Sequence, residues 1–387
     1  MLGLSSLLWF NYSAVLPLIV NEWALSGIRA SIIYSAFQAG YILLVIPIGM
    51  LSDRYDTRKV AASGATVAAL ASLCFALLAR GFVTGTLLRF IAGLGMAGVY
   101  VPGMQYVSDS YQADRGWAIG VYAGTFSISS GTSFIVSSWL GSVLGWKFAL
   151  AATSLVALMA GPIILLVGRA PPDGFSQSGN LSLNVLRNPT YLLTVGIYSA
   201  HNWELFGVRN WLTAFLVSTA AIAATENSAA MAGLLAGIMT AMGGIGNLLG
   251  GTLSDRMNRQ TVAAVGLLAS AVCSLAIGFL GWLPMSLLLV FLLTYGIVIT
   301  IDSAPTATMV TEVVDSDQIG SALSIQSFIG TIPGIIAPIV FGAALDTSGY
   351  KLAFQTLGIA ALAGAGLVLL FTVSDISKRQ DLEAVER

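Results

Sequence analysis

The sequence predicts an all-α polytopic membrane protein, with twelve transmembrane helices forming two pseudo-symmetric six-helix bundles. Composition, unbroken apolar runs and a repeated charged loop predict it. Of 387 residues, 56% are hydrophobic and only 9% charged, and the mean hydropathy is +0.85. A water-solvated surface carries about 25% charged residues, so a bilayer is the solvent that fits. The apolar runs are continuous rather than alternating, which selects helices over a closed barrel. The charges gather in loops, above all "GMLSDRYDTRK" at 49–59, and "GTLSDRMNRQ" follows at 251–260.

A span needs about 20 mainly apolar residues. Residues 2–20 form the first; with no basic stretch before them and no small-residue cleavage site, they read as a helix rather than a signal peptide. That helix starts almost at residue 1, which leaves room for a short cytoplasmic lead before it. Spans follow at 30–52, 60–79, 82–107, 116–138 and 146–168. The polar stretch 169–188 then divides the chain. The second set lies at 190–217, 228–252, 261–281, 285–309, 320–341 and 351–373. The expected organisation is an N-terminal bundle at 1–168, a cytoplasmic linker at 169–189, a C-terminal bundle at 190–373 and a cytoplasmic tail at 374–387.

Short cytoplasmic loops carry an excess of Lys and Arg. With both termini inside, the inner set is Arg54, Arg58, Lys59, Arg115, Arg169, Arg187, Arg256, Arg259, Lys378, Arg379 and Arg387. The outer set is only Arg29, Arg80, Lys147 and Lys351. This predicts a multi-pass protein of the plasma (cell inner) membrane with cytoplasmic termini. A net charge of −1 without a basic tract argues against nucleic acid. Cys74 and Cys273 fall inside apolar runs and read as packing residues.

The halves repeat at an offset of 202–204 residues. Gly49, Leu51, Ser52, Asp53 and Arg54 recur as Gly251, Leu253, Ser254, Asp255 and Arg256. Pro102 recurs as Pro305, Asp109 as Glu312 and Gly116 as Gly320, and "GWK" at 145–147 recurs as "GYK" at 349–351. Duplicated bundles of this kind place binding sites near the midplane.

The repeated loop resembles the signature of the major facilitator superfamily, Gly-x-Leu-[Ser/Ala]-Asp-Arg-x-Gly-Arg-[Arg/Lys], and "RFIAGLGMAG" at 89–98 resembles its helix-4 motif. The resemblance spans the whole chain and implies two six-helix halves, alternating access, and a central cavity lined by helices 1, 4, 7 and 10. It also implies a conformational latch. Asp53 would contact the opposite half with Arg54 beside it, Arg58 would pair with Asp109, and Asp255, Arg256, Arg259 and Glu312 would form the mirror copy. Gly49 and Gly251 would permit close helix approach. Two departures stand out: Asp56 and Asn258 replace the glycine after Asp-Arg-x, and Thr57 replaces the next arginine in the first copy. Asp and Asn tolerate left-handed backbone, so a tight turn is expected there. Helix 5, "GVYAGTFSISSG" at 120–131, lacks the proline that marks proton-coupled drug antiporters of the family.

Ionisable residues within spans are functional candidates by default. They are Arg89 on helix 4, His201, Glu204 and Arg209 on helix 7, and Asp302 on helix 10. Glu204, near the middle of its helix, is the best candidate for a protonatable or substrate-contacting group. His201, three residues away, shares its face, so the two are expected to form a titratable pair. Arg89 is expected to snorkel outward or tie helix 4 to a neighbour, or else to take part in gating or coupling. Asn11 and Tyr12 on helix 1 offer polar groups to the same cavity.

The expected function is secondary active transport of a small solute by alternating access, proton-coupled, with a lean to a small organic or inorganic anion. A proton-coupled drug antiporter and a transporter-like sensor without flux are the alternatives. No Walker motif, metal-ligand spacing or nucleophile–base arrangement is present, so neither ATP-driven transport nor an enzyme is expected, and no cofactor or metal. The expected partners are the solute, protons and the lipid bilayer, and the expected state is a monomer.

Overall fold

The computed structural model describes residues 1–52, 54–111, 115–168, 182–315 and 318–385; the side chains at 109, 115–117, 119 and 374–385 lie outside that description. The expected linker therefore falls largely outside the described residues.

The described chain is helical. The helices are α1 (Leu2–Trp23), α2 (Gly27–Ser52), α3 (Thr57–Leu78), α4 (Phe82–Ser110), α5 (Arg115–Leu144) and α6 (Trp146–Val167). They continue with α7 (Pro189–Val217), α8 (Ser228–Arg256), α9 (Arg259–Ile277) and α10 (Met285–Val313). Residues Ile319–Val385 contain α11 and α12, separated at Gly349 by a φ of 75°. Glycine alone adopts such a φ without steric cost. Gly145, between α5 and α6, has a φ of 87°. The repeated "GWK" and "GYK" therefore mark one turn used twice, with the glycine as its hinge.

By length and hydropathy alone, nine described segments can cross a membrane, one of them the joined α11–α12. The α7 helix is 29 residues long, but its His201, Asn202, Glu204, Arg209 and Asn210 lower its hydropathy.

The chain forms two compact units. One comprises Met1–Gly179, Arg209–Ala241 and Gly281–Leu292; the other comprises Asn180–Val208, Met242–Leu280 and Leu293–Arg387. In the first, α2 and α4 cross at glycines: a Cβ on Gly93 would lie 2.0 Å from the Phe37 carbonyl oxygen, and one on Gly40 2.2 Å from that of Phe90. Such backbone contact is how membrane helices associate where burial of apolar surface supplies no drive. Gly49 and Gly251 do not play that part: a Cβ on Gly49 would meet nothing within 4 Å, and one on Gly251 would stand 3.7 Å from Ala304. The close approach falls instead at Gly40 on α2, more than two turns before Gly49, and at Gly250 on α8, the residue before Gly251, which lies against the Ile301 carbonyl.

Pro102 and Pro305 occupy matching positions with different results. The α4 helix runs unbroken through Pro102. In α10 the helix stops at Val298 and resumes at Ser303. Proline has no N–H to give the carbonyl four residues back, which is Ile301, inside the break.

Candidate functional site

Two groups of buried polar side chains stand out, one in each unit. In the second unit, Glu204 is 0% exposed and, among the described residues, accepts hydrogen bonds only from hydroxyls. Ser270 donates to Oε2 at 2.8 Å, Ser274 to Oε1 at 2.7 Å, and the Tyr295 hydroxyl to Oε1 at 3.3 Å. Ser274 and Tyr295 also bond each other. Among the described residues no cationic nitrogen lies within 4.0 Å of this carboxyl.

His201 has a different partner from the one its spacing suggests. Its Nδ1 lies 3.0 Å from Asp302 Oδ1 and its Nε2 3.3 Å from Ser303 Oγ, at the break in α10. Tyr198 stacks on the ring. The carboxylate that pairs with His201 is thus Asp302, not Glu204. Residues three apart on a helix are offset by about 60°, enough here to send His201 to the break while Glu204 meets α9 and the turn of Tyr295. The second oxygen of Asp302 has no hydrogen-bond partner among the described residues.

In the first unit, Arg89 is 1% exposed and does not snorkel. Its Nη1 donates to the Leu8 carbonyl at 3.2 Å and to Asn11 Oδ1 at 3.4 Å, while Nε and Nη2 have no partner among the described residues. The guanidinium lies 4.3 Å from the Phe37 ring centroid and 5.5 Å from that of Tyr12. Those ring faces replace a counter-ion, and they explain why Arg89 points inward. Asn11 is held in turn by Nδ2 donating to Thr153, and Tyr12 by its hydroxyl donating to the Ala30 carbonyl. Arg209 lies over Phe10, its guanidinium 5.4 Å from the ring centroid. Neither arginine has a carboxylate within 4.0 Å among the described residues.

The two charged loops share one local structure. Ser52 Oγ donates to the Gly49 carbonyl and Ser254 Oγ to that of Gly251, both at 2.8 Å. Asp56 and Asn258 cap α3 and α9, accepting the backbone N–H two residues on at 3.0 and 2.9 Å. Their φ angles are −53° and −65°, so the expected left-handed turn is absent. These side chains stand where glycine is usual because they act as N-caps.

Arg58 is taken up locally. It bonds both Asp56 oxygens, at 2.7 and 3.1 Å, and the Gly168 carbonyl at 2.8 Å. The expected Asp109 partner has its side chain outside the described residues, as does Asp53 altogether. Arg54, Asp255 and Arg256 are exposed, and Arg259 forms an ion pair with Glu312. Arg58 holds the Asp56 carboxyl below the usual carboxylate range. Its stabilising share is therefore present at neutral pH and fades as acid titrates the group. Losing a cap costs about 1 kcal/mol, and Asp56 also anchors Arg58. Asp56→Ala is expected to lower the thermal unfolding midpoint at neutral pH more than Asn258→Ala does, and the gap is expected to narrow in acid.

Ser270, Ser274 and Tyr295 were not evident as site residues from sequence. Their signal was present: two serines four apart on one face of an otherwise apolar helix.

Comparison with known proteins decides the family. The model of the Major Facilitator Superfamily matches residues 1–301 and again 205–387. The chain belongs to that superfamily. It is a multi-pass membrane transporter and not an enzyme. It is 24% identical to the hexuronate transporter of Bacillus subtilis, over 96% of this chain and 92% of that one. It is 25% identical to the cis,cis-muconate transport protein of Acinetobacter baylyi, over 92% and 87%. Protein spinster homolog 1 of Bos taurus is 25% identical over 68% of this chain, a match spanning 55% of that protein. Among solved structures, a bacterial homolog of the human lysosomal transporter Spinster, inward-facing and occupied, superposes with a TM-score of 0.81. That match has 17% identity and covers 96% of this chain and 94% of the other. The nucleoside transporter NupG superposes at 0.76 with 16% identity, over 96% and 98%. These structures share the fold, twelve helices in two pseudo-symmetric bundles.

Proposed function

We propose that this transporter moves a small organic carboxylate by alternating access, driven by protons. The observation that carries the anion is Arg89: a guanidinium inside the membrane that has, among the described residues, two unpaired nitrogens and no carboxylate partner. An arginine stays charged in proteins and presents a planar fork suited to carboxylates. A buried cation left unpaired is costly, and an arriving carboxylate offsets that cost. Arg209, equally without a counter-ion among the described residues, supplies a second positive centre in the same unit. The hexuronate and muconate relatives transport six-carbon acids, which agrees with this charge pattern.

Glu204 is the group we assign to the proton, with His201 and Asp302 as a neighbouring titratable pair. The Arg259–Glu312 ion pair, with Gly251, Asp255 and Arg256, is assigned to a latch, together with its counterpart around Gly49, Asp53, Arg54, Arg58 and Asp109. Exposed ion pairs contribute only about 0–1 kcal/mol, which suits a contact broken in every cycle. The excess of basic residues in one set of loops supports cytoplasmic termini and a plasma-membrane location.

The test is flux in proteoliposomes with radiolabelled D-glucuronate and cis,cis-muconate, with and without an inside-alkaline pH gradient. Accumulation of either acid above equilibrium, lost when a protonophore is added, is the expected result. Binding of both without flux would support a sensor. Flux indifferent to the pH gradient would remove the proton.

A further inference from the structure

Resting on the assignment of the proton to Glu204, we propose that Ser270, Ser274 and Tyr295 form a reversible hydroxyl shell: positioning residues that let this carboxyl gain or lose a proton without its surroundings being rebuilt. A carboxylate fixed by arginine, lysine or backbone N–H faces groups that only donate, and a proton added to it meets another donor. A hydroxyl carries one donor and two acceptor lone pairs. Among the described residues, every side chain bonded to Glu204 is a hydroxyl.

Ser270 is placed as the switching member. Its Oγ lies 2.8 Å from Glu204 Oε2 and 3.1 Å from the Leu267 carbonyl oxygen. It has one proton and two acceptors in reach. With Glu204 ionised, Ser270 donates to Oε2. When Oε2 takes a proton, the new carboxyl O–H donates to Ser270 Oγ, and the serine proton turns to the waiting Leu267 carbonyl. One O–H bond forms at Oε2 and no other covalent bond changes. On the other oxygen nothing needs to turn: Ser274 donates to Oε1, the one Tyr295 proton is shared between Oε1 and Ser274 Oγ, and Oε1 accepts in both states.

The remaining titratable groups act on Glu204 through charge rather than contact. They are His201 on the same helix, Asp302 from α10 and Cys273 from α9. The polar cluster is thus divided. One carboxyl, Asp302, is tied to an imidazole and the other, Glu204, is surrounded by groups that accept either protonation state.

The test needs no substrate. Purified full-length protein is titrated while the carboxylic-acid carbonyl stretch is followed by infrared difference spectroscopy, with circular dichroism as the control for folding. A titrating band that disappears in Glu204→Gln belongs to Glu204. In Ser270→Ala its midpoint is expected about 1 pH unit higher, the weight of one hydrogen bond to a charged group. Ser274→Ala is expected to shift it the same way, and Ser270→Thr, which keeps the hydroxyl, to restore it. Ser270→Cys retains the shape with a weaker donor and shifts it by less. A wild-type midpoint in both alanine variants overturns the proposal, as does the absence of any titrating band assignable to Glu204. If the shifts occur while Glu204→Gln still accumulates D-glucuronate along the pH gradient, the shell stands and the coupling assignment alone falls.

Discussion

Arg89→Gln is expected to reduce carboxylate uptake by at least about a hundredfold while leaving the protein as stable as the wild type or more so. The two halves of that expectation have one cause. A hydrogen bond to a charged group contributes about 1.5–3 kcal/mol. Loss of two such bonds to a bound carboxylate removes about 3–6 kcal/mol, and 1.4 kcal/mol is tenfold in affinity. In the absence of substrate the same guanidinium leaves Nε and Nη2 unpaired among the described residues, with only neutral oxygens and aromatic faces beside it. Replacing it by a neutral amide relieves the cost of an unpaired buried charge, and Gln retains a donor for the Leu8 carbonyl or Asn11. Arg89→Lys keeps the charge without the fork and is expected to bind more weakly than wild type but better than Arg89→Gln. Uptake of D-glucuronate and cis,cis-muconate, read beside thermal unfolding in detergent, checks both halves. A purely structural arginine would show the reverse: lower stability with transport reduced only in proportion to folded protein.

Much of this fold was legible because membrane helices announce themselves by composition. The repeat carried more than topology. "GWK" and "GYK" are the same positive-φ glycine turn, and Ser52 and Ser254 make the same bond to Gly49 and Gly251. The roles of Asp56 and Asn258 were misjudged because a residue replacing glycine suggests left-handed backbone, whereas both side chains serve as acceptors for the helix that follows. Their proximity to Thr57 and Arg259, the first residues of α3 and α9, was the available clue.

The site was legible only by charge. Arg89, His201, Glu204, Arg209 and Asp302 are conspicuous in an apolar chain, but their pairing depends on helix rotation, which periodicity fixes only to tens of degrees. His201 and Glu204 share a face and still part company, one toward Asp302 and the other toward serines. Ser270 and Ser274 escaped notice because serine is common in membrane helices and bonds its own backbone there. Ser154, for example, donates to the Leu150 carbonyl of its own helix. Only a partner on another helix separates the two kinds.

Glu204→Gln is expected to abolish accumulation along a pH gradient while sparing exchange of internal for external solute. The amide keeps an acceptor at one end and places a donor at the other, and three surrounding hydroxyls accommodate either polarity. Folding and solute binding are therefore retained, and what is lost is a group able to change its proton count during the cycle. Counterflow of labelled D-glucuronate is expected to stay within a few-fold of wild type, whereas the pH-driven uptake signal falls to the equilibrium level. Exchange in the variant is also expected to vary less with pH, because the titrating carboxyl has gone. Asp302→Asn provides the contrast. It leaves His201 without its carboxylate partner at the break in α10, so its effect is expected on exchange and accumulation together. Persistent uphill uptake in Glu204→Gln, with loss of it in Asp302→Asn alone, would move the proton from Glu204 to the His201–Asp302 pair. Loss in both, with exchange kept only in Glu204→Gln, would leave Glu204 as the coupling group and His201–Asp302 as a contact the transporter needs in order to turn over at all.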